Sequence, residues 1–369
     1  MRRTRIALIT PYALSVFGGV QEQVLAMSRE LSGRDYEVMI VAPDVHDVTT
    51  YDTAALVRRF GRLWSIPTNG SRAPLSLSPL AARRARDVVD RFQPDVVHFH
   101  EPFAPLIGWG ILRAHRAPAI GTFHRSGDGP ALRYTGALLR SLASHLDAVA
   151  AVSEPAAATV RHATRLDPSI LFNGFETDRF VVSPRERPPT PVIVTVGRLE
   201  PRKGTAHTIE AVRAHNASGG EQWQLVVIGD GPQRRTLEAL AAHDDMIRFT
   251  GALSDTEKRA WLRRASVVVA SATRGESFGL VVLEPMASEV MVVASDIAGY
   301  REAAGSHAEL FEPGDATSLR HALGRALASE TPRRIGDARA HAQHWSMARL
   351  IDDYEVLYAK AREHYEAAR

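Results

Sequence analysis

The stretch Phe180-Val-Val-Ser-Pro-Arg-Glu-Arg-Pro-Pro-Thr-Pro191, followed directly by Val192-Ile-Val-Thr-Val196 and Gly197-Arg-Leu-Glu-Pro-Arg-Lys-Gly204, decides the architecture. Its four prolines forbid a continuing helix or a central strand, because proline has no amide hydrogen and clashes with the preceding turn. Residues 183–191 therefore read as a linker between domains. Directly after it a five-residue apolar run enters a basic, glycine-bounded loop, and Thr205 to His215 continues with helical spacing. Strand, loop and helix in that order form the repeating unit of a parallel α/β sheet.

The same alternation runs outward in both directions. Downstream, Gln224–Ile228, Val267–Ala270 and Met291–Ala294 read as strands, with helices over Pro232–Ala242 and Thr256–Arg264. Upstream, strands are expected at Arg5–Thr10, Glu37–Ala42, Asp95–His100, Pro118–Phe123 and Ala148–Val152, with helices such as Val20–Leu31 and Pro79–Phe92. Two doubly wound, Rossmann-like domains follow, residues 1–182 and 192–344. A final amphipathic helix from Trp345 carries Leu350, Ile351, Tyr354, Leu357 and Tyr358 on one side. At 369 residues the chain is too long for one ordinary core, which agrees with two domains.

Composition narrows the class. With 45% hydrophobic and 24% charged residues the chain has a soluble globular profile. No cysteine is present, so disulfides and thiolate metal sites are excluded. No window approaches the roughly 18 apolar residues of a membrane span, and Pro11-Tyr12 interrupts the apolar run behind the amino-terminal arginines before a signal peptide could form. A cytoplasmic location is expected. The formal net charge of +3 argues against a bulk polyanion binder, so no nucleic-acid partner is expected. Lysine occurs only at Lys203, Lys258 and Lys360.

Ligands of open parallel sheets sit beyond the carboxyl ends of the strands, so strand-to-helix junctions are where chemistry is expected. Gly275-Glu276-Ser277-Phe278-Gly279-Leu280 opens a helix that carries Glu284, eight residues after Glu276. Backbone N–H groups around Phe278, Gly279 and Leu280 suit a diphosphate, and carboxylates suit sugar hydroxyls. A capping carboxylate and a solvated helix glutamate would account for the spacing equally well. Arg198 and Lys203, flanking one loop, can stabilise a leaving diphosphate; an ordinary solvated turn has the same composition. Gly18-Gly19 before the first helix permits close approach of a phosphate, or makes a tight turn. Gly229-Asp230-Gly231 is part of a dinucleotide fingerprint, with Arg234 where the third glycine would stand. His124 ends its strand at the carboxyl edge. His98 and His100 share one strand face beside Glu101 without a third distant ligand, so no metal is expected.

Taken together these segments resemble the retaining GT-B glycosyltransferases of family 4 over nearly the whole chain. The likeness rests on Gly18-Gly-Val-Gln21, His100-Glu-Pro102, Thr122-Phe-His124, Asn173-Gly174, Gly197–Gly204 and Gly275–Gly279. Within that family it is similar to the actinobacterial phosphatidylinositol mannosyltransferases, through Pro11-Tyr12, Asn69-Gly-Ser71 and Trp345-Ser346. The resemblance implies two domains facing a cleft, with the terminal helix, 345–369, crossing back to the first. It implies Arg198 and Lys203 at the nucleotide diphosphate, Glu276 on the donor sugar, Glu284 on the ribose, Gly18 and Gly19 at the diphosphate, and His124 beside the reacting centre. Tyr12, Gln21, Asn69, Arg72 and Arg125 are the candidates for the acceptor.

The implied reaction is front-face displacement without an obligatory metal or other cofactor, moving mannose from GDP-mannose to phosphatidylinositol or its mannosides. The chain departs from those enzymes at Ser15, where they carry an acidic residue, and at Pro74 and Gly129, where basic residues are expected, with Arg72 and Arg125 nearby. It also lacks the usual glycine in Ala287-Ser-Glu-Val290. Arg83, Arg84, Arg86 and Arg91 make a basic helix that would meet an anionic membrane, or simply a solvated face. The alternatives left open are a UDP-sugar with a soluble acceptor, and a non-catalytic nucleotide-sugar-binding protein.

Overall fold

The computed structural model describes residues 2–15, 18–43, 53–61, 63–68, 71–76, 78–104, 107–124, 130–180, 188–276 and 278–369, with the backbone alone at 63–68, 71–76 and 130–135. The chain forms two compact units: Met1–Gly174 with Met347–Arg369, and Phe175–Ser346.

The first unit is built on strands β1 (Arg5–Ile9), β2 (Glu37–Ala42), β3 (Leu56–Arg59), a hairpin of β4 (Leu63–Thr68) and β5 (Ser71–Ser76), then β6 (Val96–His100), β7 (Ala119–Phe123), β8 (Ala148–Ala151) and β9 (Ser169–Ile170). Seven of them form one parallel sheet in the order β3-β2-β1-β6-β7-β8-β9. Side chains alternate between its faces, as strand geometry requires. Ile6, Leu8, Val38 and Ile40 point to one core, while Ala7, Ile9, Met39 and Val41 point to the other. The first core also takes the terminal helix Met347–Ala367, through the Leu350, Ile351, Tyr354, Leu357 and Tyr358 face read from the sequence. Helix Pro79–Phe92 covers the opposite face. Ser78 caps it by accepting from the Ala81 amide at 3.2 Å, and Arg83, Arg84, Arg86 and Arg91 all point to solvent.

The second unit holds β10 (Val192–Val196), β11 (Gln224–Ile228), β12 (Ile247–Gly251), β13 (Val267–Ala270), β14 (Met291–Ser295) and β15 (Glu309–Phe311), all parallel, in the order β12-β11-β10-β13-β14-β15. Among the described residues no helix is long and apolar enough to cross a membrane.

The boundaries differ from those read in the sequence. The units divide at Gly174/Phe175 and Ser346/Met347, not around the proline-rich 183–191 and not at 344/345. The reason is packing. Phe175 and Phe180 are buried against each other edge to face at 5.7 Å, the Phe175 amide donates to the Trp345 carbonyl at 3.1 Å, and Arg259 Nη1 donates to the Arg179 carbonyl at 2.8 Å. Residues 175–180 therefore belong to the second unit, and residues 183–187 lie outside the described residues.

Candidate active site

The chain leaves β10 toward β11 and β12 on one side and returns through β13 to β14 and β15 on the other. The loops after β10 and β13 thus part company between two neighbouring strands, which is where open α/β sheets leave a crevice. Pro201–Lys203 make a single 3₁₀ turn, closed by Gly204 at φ +67°. A Cβ at Gly204 would stand 2.0 Å from the Ser271 carbonyl oxygen, so only glycine lets the two loops touch backbone to backbone. The Ser271 hydroxyl donates to the Lys203 carbonyl at 3.0 Å, and the Thr273 amide to the Arg202 carbonyl at 2.8 Å. The glycine pair Gly229 and Gly231 has the same cause. Their added Cβ atoms would stand 1.9 Å from the Gly197 carbonyl oxygen and 2.6 Å from that of Leu199, so the pair serves loop packing.

On these loops five charged side chains form a linear cluster. Arg198 Nε lies 3.2 Å from Glu200 Oε1, and Arg202 Nε lies 3.2 Å from Glu200 Oε2. Arg202 Nη1 and Lys203 Nζ then meet the same oxygen, Glu276 Oε1, at 2.5 and 2.7 Å. The Glu200 side chain is only 6% exposed, and a carboxylate so far from water needs such partners. Three cations against two carboxylates leave one positive charge in excess. The sequence placed Arg198 and Lys203 together; the structure brings Lys203 to Glu276 and sets Arg198 at the far end of the cluster, on Glu200. The connecting residue is Arg202, which sequence reasoning did not single out. Its signal was available, since Glu200 and Glu276 both need cations and Arg202 shares the turn with Lys203.

Gly279 precedes the helix Leu280–Ala287 without a side-chain cap, and Phe278 is buried edge to face against Trp345 at 5.0 Å. Glu284, on that helix, receives Lys258 Nζ at 3.1 and 3.0 Å on its two oxygens, and Asp255 lies 3.4 Å from the same nitrogen. Burial acts to lower the Lys258 ammonium, but Glu284 and Asp255 more than reverse it, so its pKa is raised. Lys258 is a second residue the sequence did not reveal, because 26 positions separate it from Glu284. Where a glycine was expected, Glu289 adopts φ +58° and its carboxylate pairs with Arg339.

In the first unit, Gly18 precedes the helix Gly19–Gly33 in an extended conformation, and Gly19 is exposed with open space around it. A Cβ at Gly18 would stand 2.5 Å from Gln21 Oε1. Gln21 is buried and its Nε2 donates to the Ala13 carbonyl at 3.3 Å, so it braces the loop. Tyr12 is half-buried, and its amide donates to Thr10 Oγ1 at 3.3 Å. Asn69 and Arg125 lie outside the described residues, as does the side chain of Arg72 on β5.

His98 and His100 do share a face of β6, with rings stacked at 4.6 Å, and His100 stacks on His124 at 5.3 Å. His98 bonds through Nδ1 to the Tyr358 hydroxyl at 2.9 Å and through Nε2 to Thr122 Oγ1 at 2.7 Å, and Thr122 in turn bonds to the Tyr354 hydroxyl at 2.9 Å. His100 Nδ1 lies 3.0 Å from His124 Nε2, and the His124 amide donates to Glu101 Oε1 at 2.7 Å. Burial pushes His98 down to about 3 and His124 down to about 4, and His100 well below the usual range. All three rings are neutral at physiological pH.

Two family models match the chain: "Glycosyltransferase Family 4" over residues 17–179 and "Glycosyl transferases group 1" over 176–342. The chain is 32% identical over 379 residues to a phosphatidyl-myo-inositol mannosyltransferase of Mycobacterium tuberculosis, covering 96% of this chain and 97% of that one. It is 30% identical to the enzyme of that name from Propionibacterium freudenreichii, covering 99% and 97%. A GDP-mannose-dependent alpha-mannosyltransferase of Mycolicibacterium smegmatis is 29% identical over 81% of each chain. Among solved structures, a glycosyltransferase of Rickettsia africae superposes with a TM-score of 0.75 at 16% identity, covering 98% of this chain and 99% of that one. HepE of Anabaena with UDP and glucose gives 0.73 at 19%, covering 97% and 100%. These two likenesses establish the GT-B fold.

Proposed function

The chain belongs to the family 4 glycosyltransferases, and from that premise we propose that it moves mannose from GDP-mannose onto a lipid-linked acceptor, phosphatidylinositol or one of its mannosides, with retention at the anomeric carbon. The observation that carries this reading is the cluster Arg198–Glu200–Arg202–Glu276–Lys203 between the carboxyl ends of β10 and β13. Its excess positive charge suits a diphosphate, which becomes more negative as its bond to the sugar breaks. Glu276, held by Arg202 and Lys203, accepts hydrogen bonds from hydroxyls of the donor sugar. Glu284, oriented by Lys258, accepts from the ribose hydroxyls. On the first unit, the backbone at Gly18 and Gly19 is assigned to the diphosphate and His124 to the reacting sugar.

The acceptor hydroxyl attacks the anomeric carbon from the face that the diphosphate leaves. A carbon–oxygen bond to the acceptor forms, the bond to the β-phosphate oxygen breaks, and the hydroxyl proton passes to that departing oxygen. Side-chain cations neutralise the leaving group, so the chemistry calls for no metal. Mannose, the guanine nucleotide and the inositol lipid are supported by the names of the relatives.

Tyr12 and the arginines Arg72 and Arg125 are assigned to the acceptor. The exposed Arg83, Arg84, Arg86 and Arg91 are assigned to a peripheral contact with an anionic membrane at its cytoplasmic face, each cation near such a surface contributing about 1 kcal/mol. Sedimentation with anionic and neutral vesicles tests that contact, and equal, negligible binding to both would remove it.

The experiment for the reaction is incubation with labelled GDP-mannose or UDP-glucose, with and without phosphatidylinositol vesicles. Label moving from GDP-mannose to the lipid supports the proposal. Transfer from UDP-glucose alone, or nucleotide binding without turnover, overturns it.

A further inference from the structure

Three buried histidines crowd the carboxyl ends of β6 and β7, and one of their nitrogens is left over. His98 uses both of its ring nitrogens, on Tyr358 and Thr122. His100 uses only Nδ1, on His124 Nε2 at 3.0 Å, while its Nε2 is buried without a partner among the described residues. Asn173 lies beside the His124 ring as a hydrogen-bond partner, and its buried Oδ1 has no other partner among the described residues.

Two tautomer assignments are possible for the bond between His100 and His124. If His124 Nε2 carried the proton, His100 Nδ1 would accept it, and the neutral His100 would have to bear its own proton on Nε2. That would bury an N–H with no acceptor. If His100 Nδ1 carries the proton, the leftover His100 Nε2 is only a lone pair. An orphaned buried N–H is the rarer and costlier of the two. The second assignment also leaves the His124 proton on Nδ1, with the lone acceptor Asn173 Oδ1 beside that ring to favour it. Protonating either ring to escape the choice is opposed by burial, with two more imidazoles stacked alongside.

We infer that His100 is a positioning residue for the transfer reaction: by donating its Nδ1 proton to His124 Nε2 it locks His124 in the Nδ1–H tautomer. His124 then has its only ring lone pair occupied by His100 and its Nδ1 proton directed to Asn173, so it meets the reacting sugar as a fixed, neutral ring and does not serve as a general base. The acceptor proton must go elsewhere, which agrees with its passage to the departing phosphate. This inference rests on the proposed transfer reaction for its consequence, but not for its geometry.

The test compares His100→Ala with His100→Asn, because the asparagine amide can still donate toward His124 Nε2 and alanine cannot. Long-range ¹⁵N–¹H correlation spectra of the imidazoles read the tautomer directly, without substrate. The expected result is an unprotonated His124 Nε2 in the wild type and in His100→Asn, and an altered His124 pattern in His100→Ala. Mannosyl transfer should fall about ten- to a hundredfold in kcat for His100→Ala, taking as a guide the loss when the hydrogen-bond partner of a metal-ligating histidine is removed, and recover largely in His100→Asn. KM for the donor should change little. A protonated His124 Nε2 in the wild type would overturn the inference, as would equal kcat in the two variants. A wild type that shows the predicted tautomer but transfers nothing would instead refute the proposed function.

Discussion

Lys203→Ala removes the cation that shares Glu276 Oε1 with Arg202, and the structure sets the size of the effect. The cluster holds three cations and two carboxylates, and the substitution reduces it to a neutral set. Folding should suffer little, because Glu276 keeps Arg202 at 2.5 Å and so is not left as an unpaired, largely buried charge. Catalysis should suffer much more. A cation about 4 Å from a developing charge gains about 4 kcal/mol at an effective dielectric constant near 20. Removing one preorganised donor to a transition-state anion costs about 2.7–4 kcal/mol, or on the order of 10²–10³ in kcat. Because the diphosphate gains charge only as the bond breaks, kcat and kcat/KM should fall together. The assay is initial-rate transfer from GDP-mannose to phosphatidylinositol vesicles, with urea unfolding as the stability control. A folded Lys203→Ala enzyme within about threefold of wild-type kcat would refute the electrostatic reasoning, since a factor of three is well below 1 kcal/mol.

Glu284→Ala should weaken GDP binding by about 1.5–3 kcal/mol, the worth of hydrogen bonds to a charged group, which is roughly ten- to over a hundredfold in Kd by titration calorimetry; unchanged affinity would remove Glu284 from the nucleotide. Gly204→Ala meets both φ +67° and an oxygen 2.0 Å away, whereas Gly219→Ala meets φ +82° with nothing within 4 Å. The second should cost about 1–2 kcal/mol and the first clearly more, read from urea midpoints; equal costs would contradict the loop contact. Stability should also fall in acid. His98 and His124 have folded pKa values near 3 and 4, so below about 6.5 the unfolded chain takes up protons that the native chain refuses. Their contribution is complete above pH 6.5 and declines toward pH 4, with about 2 kcal/mol lost per histidine by pH 5. A urea midpoint identical at pH 7.5 and 5 would contradict this.

Central strands were legible because both their faces are buried. Val192–Val196, Gln224–Ile228 and Val267–Ala270 have the bounds read from the sequence. The edge strand Ile247–Gly251 was not, because only Ile247 is buried and Arg248 and Thr250 break the apolar run. The hairpin of β4 and β5 was missed likewise: Pro67 and Pro74 interrupt both strands, and proline is tolerated only where no sheet bond is needed. The division of the units was misplaced because proline density marks where structure cannot continue, while the real division follows the burial of Phe175 and Phe180.

At the candidate site, the family resemblance and not spacing assigned Lys203 and Glu276 to one donor, and the two side chains do touch. Arg202 escaped notice because the rarity of lysine drew attention to its neighbour. Lys258 escaped because no local pattern announces a partner a helix and a strand away. The sequence read the absence of a glycine after the helix Leu280–Ala287 as a departure from the enzymes it resembles. The structure shows Glu289 in the left-handed conformation that glycine would fill, with an ion pair to Arg339.

The central claim is that Arg198, Arg202 and Lys203 hold the diphosphate of a nucleotide sugar, and a crystal structure of the protein with GDP-mannose tests it directly. The account predicts Lys203 Nζ and at least one of the two guanidinium groups within about 3 Å of phosphate oxygens, with Glu276 turned to the mannose hydroxyls. A nucleotide bound elsewhere, with Lys203 still paired to Glu276, would contradict it.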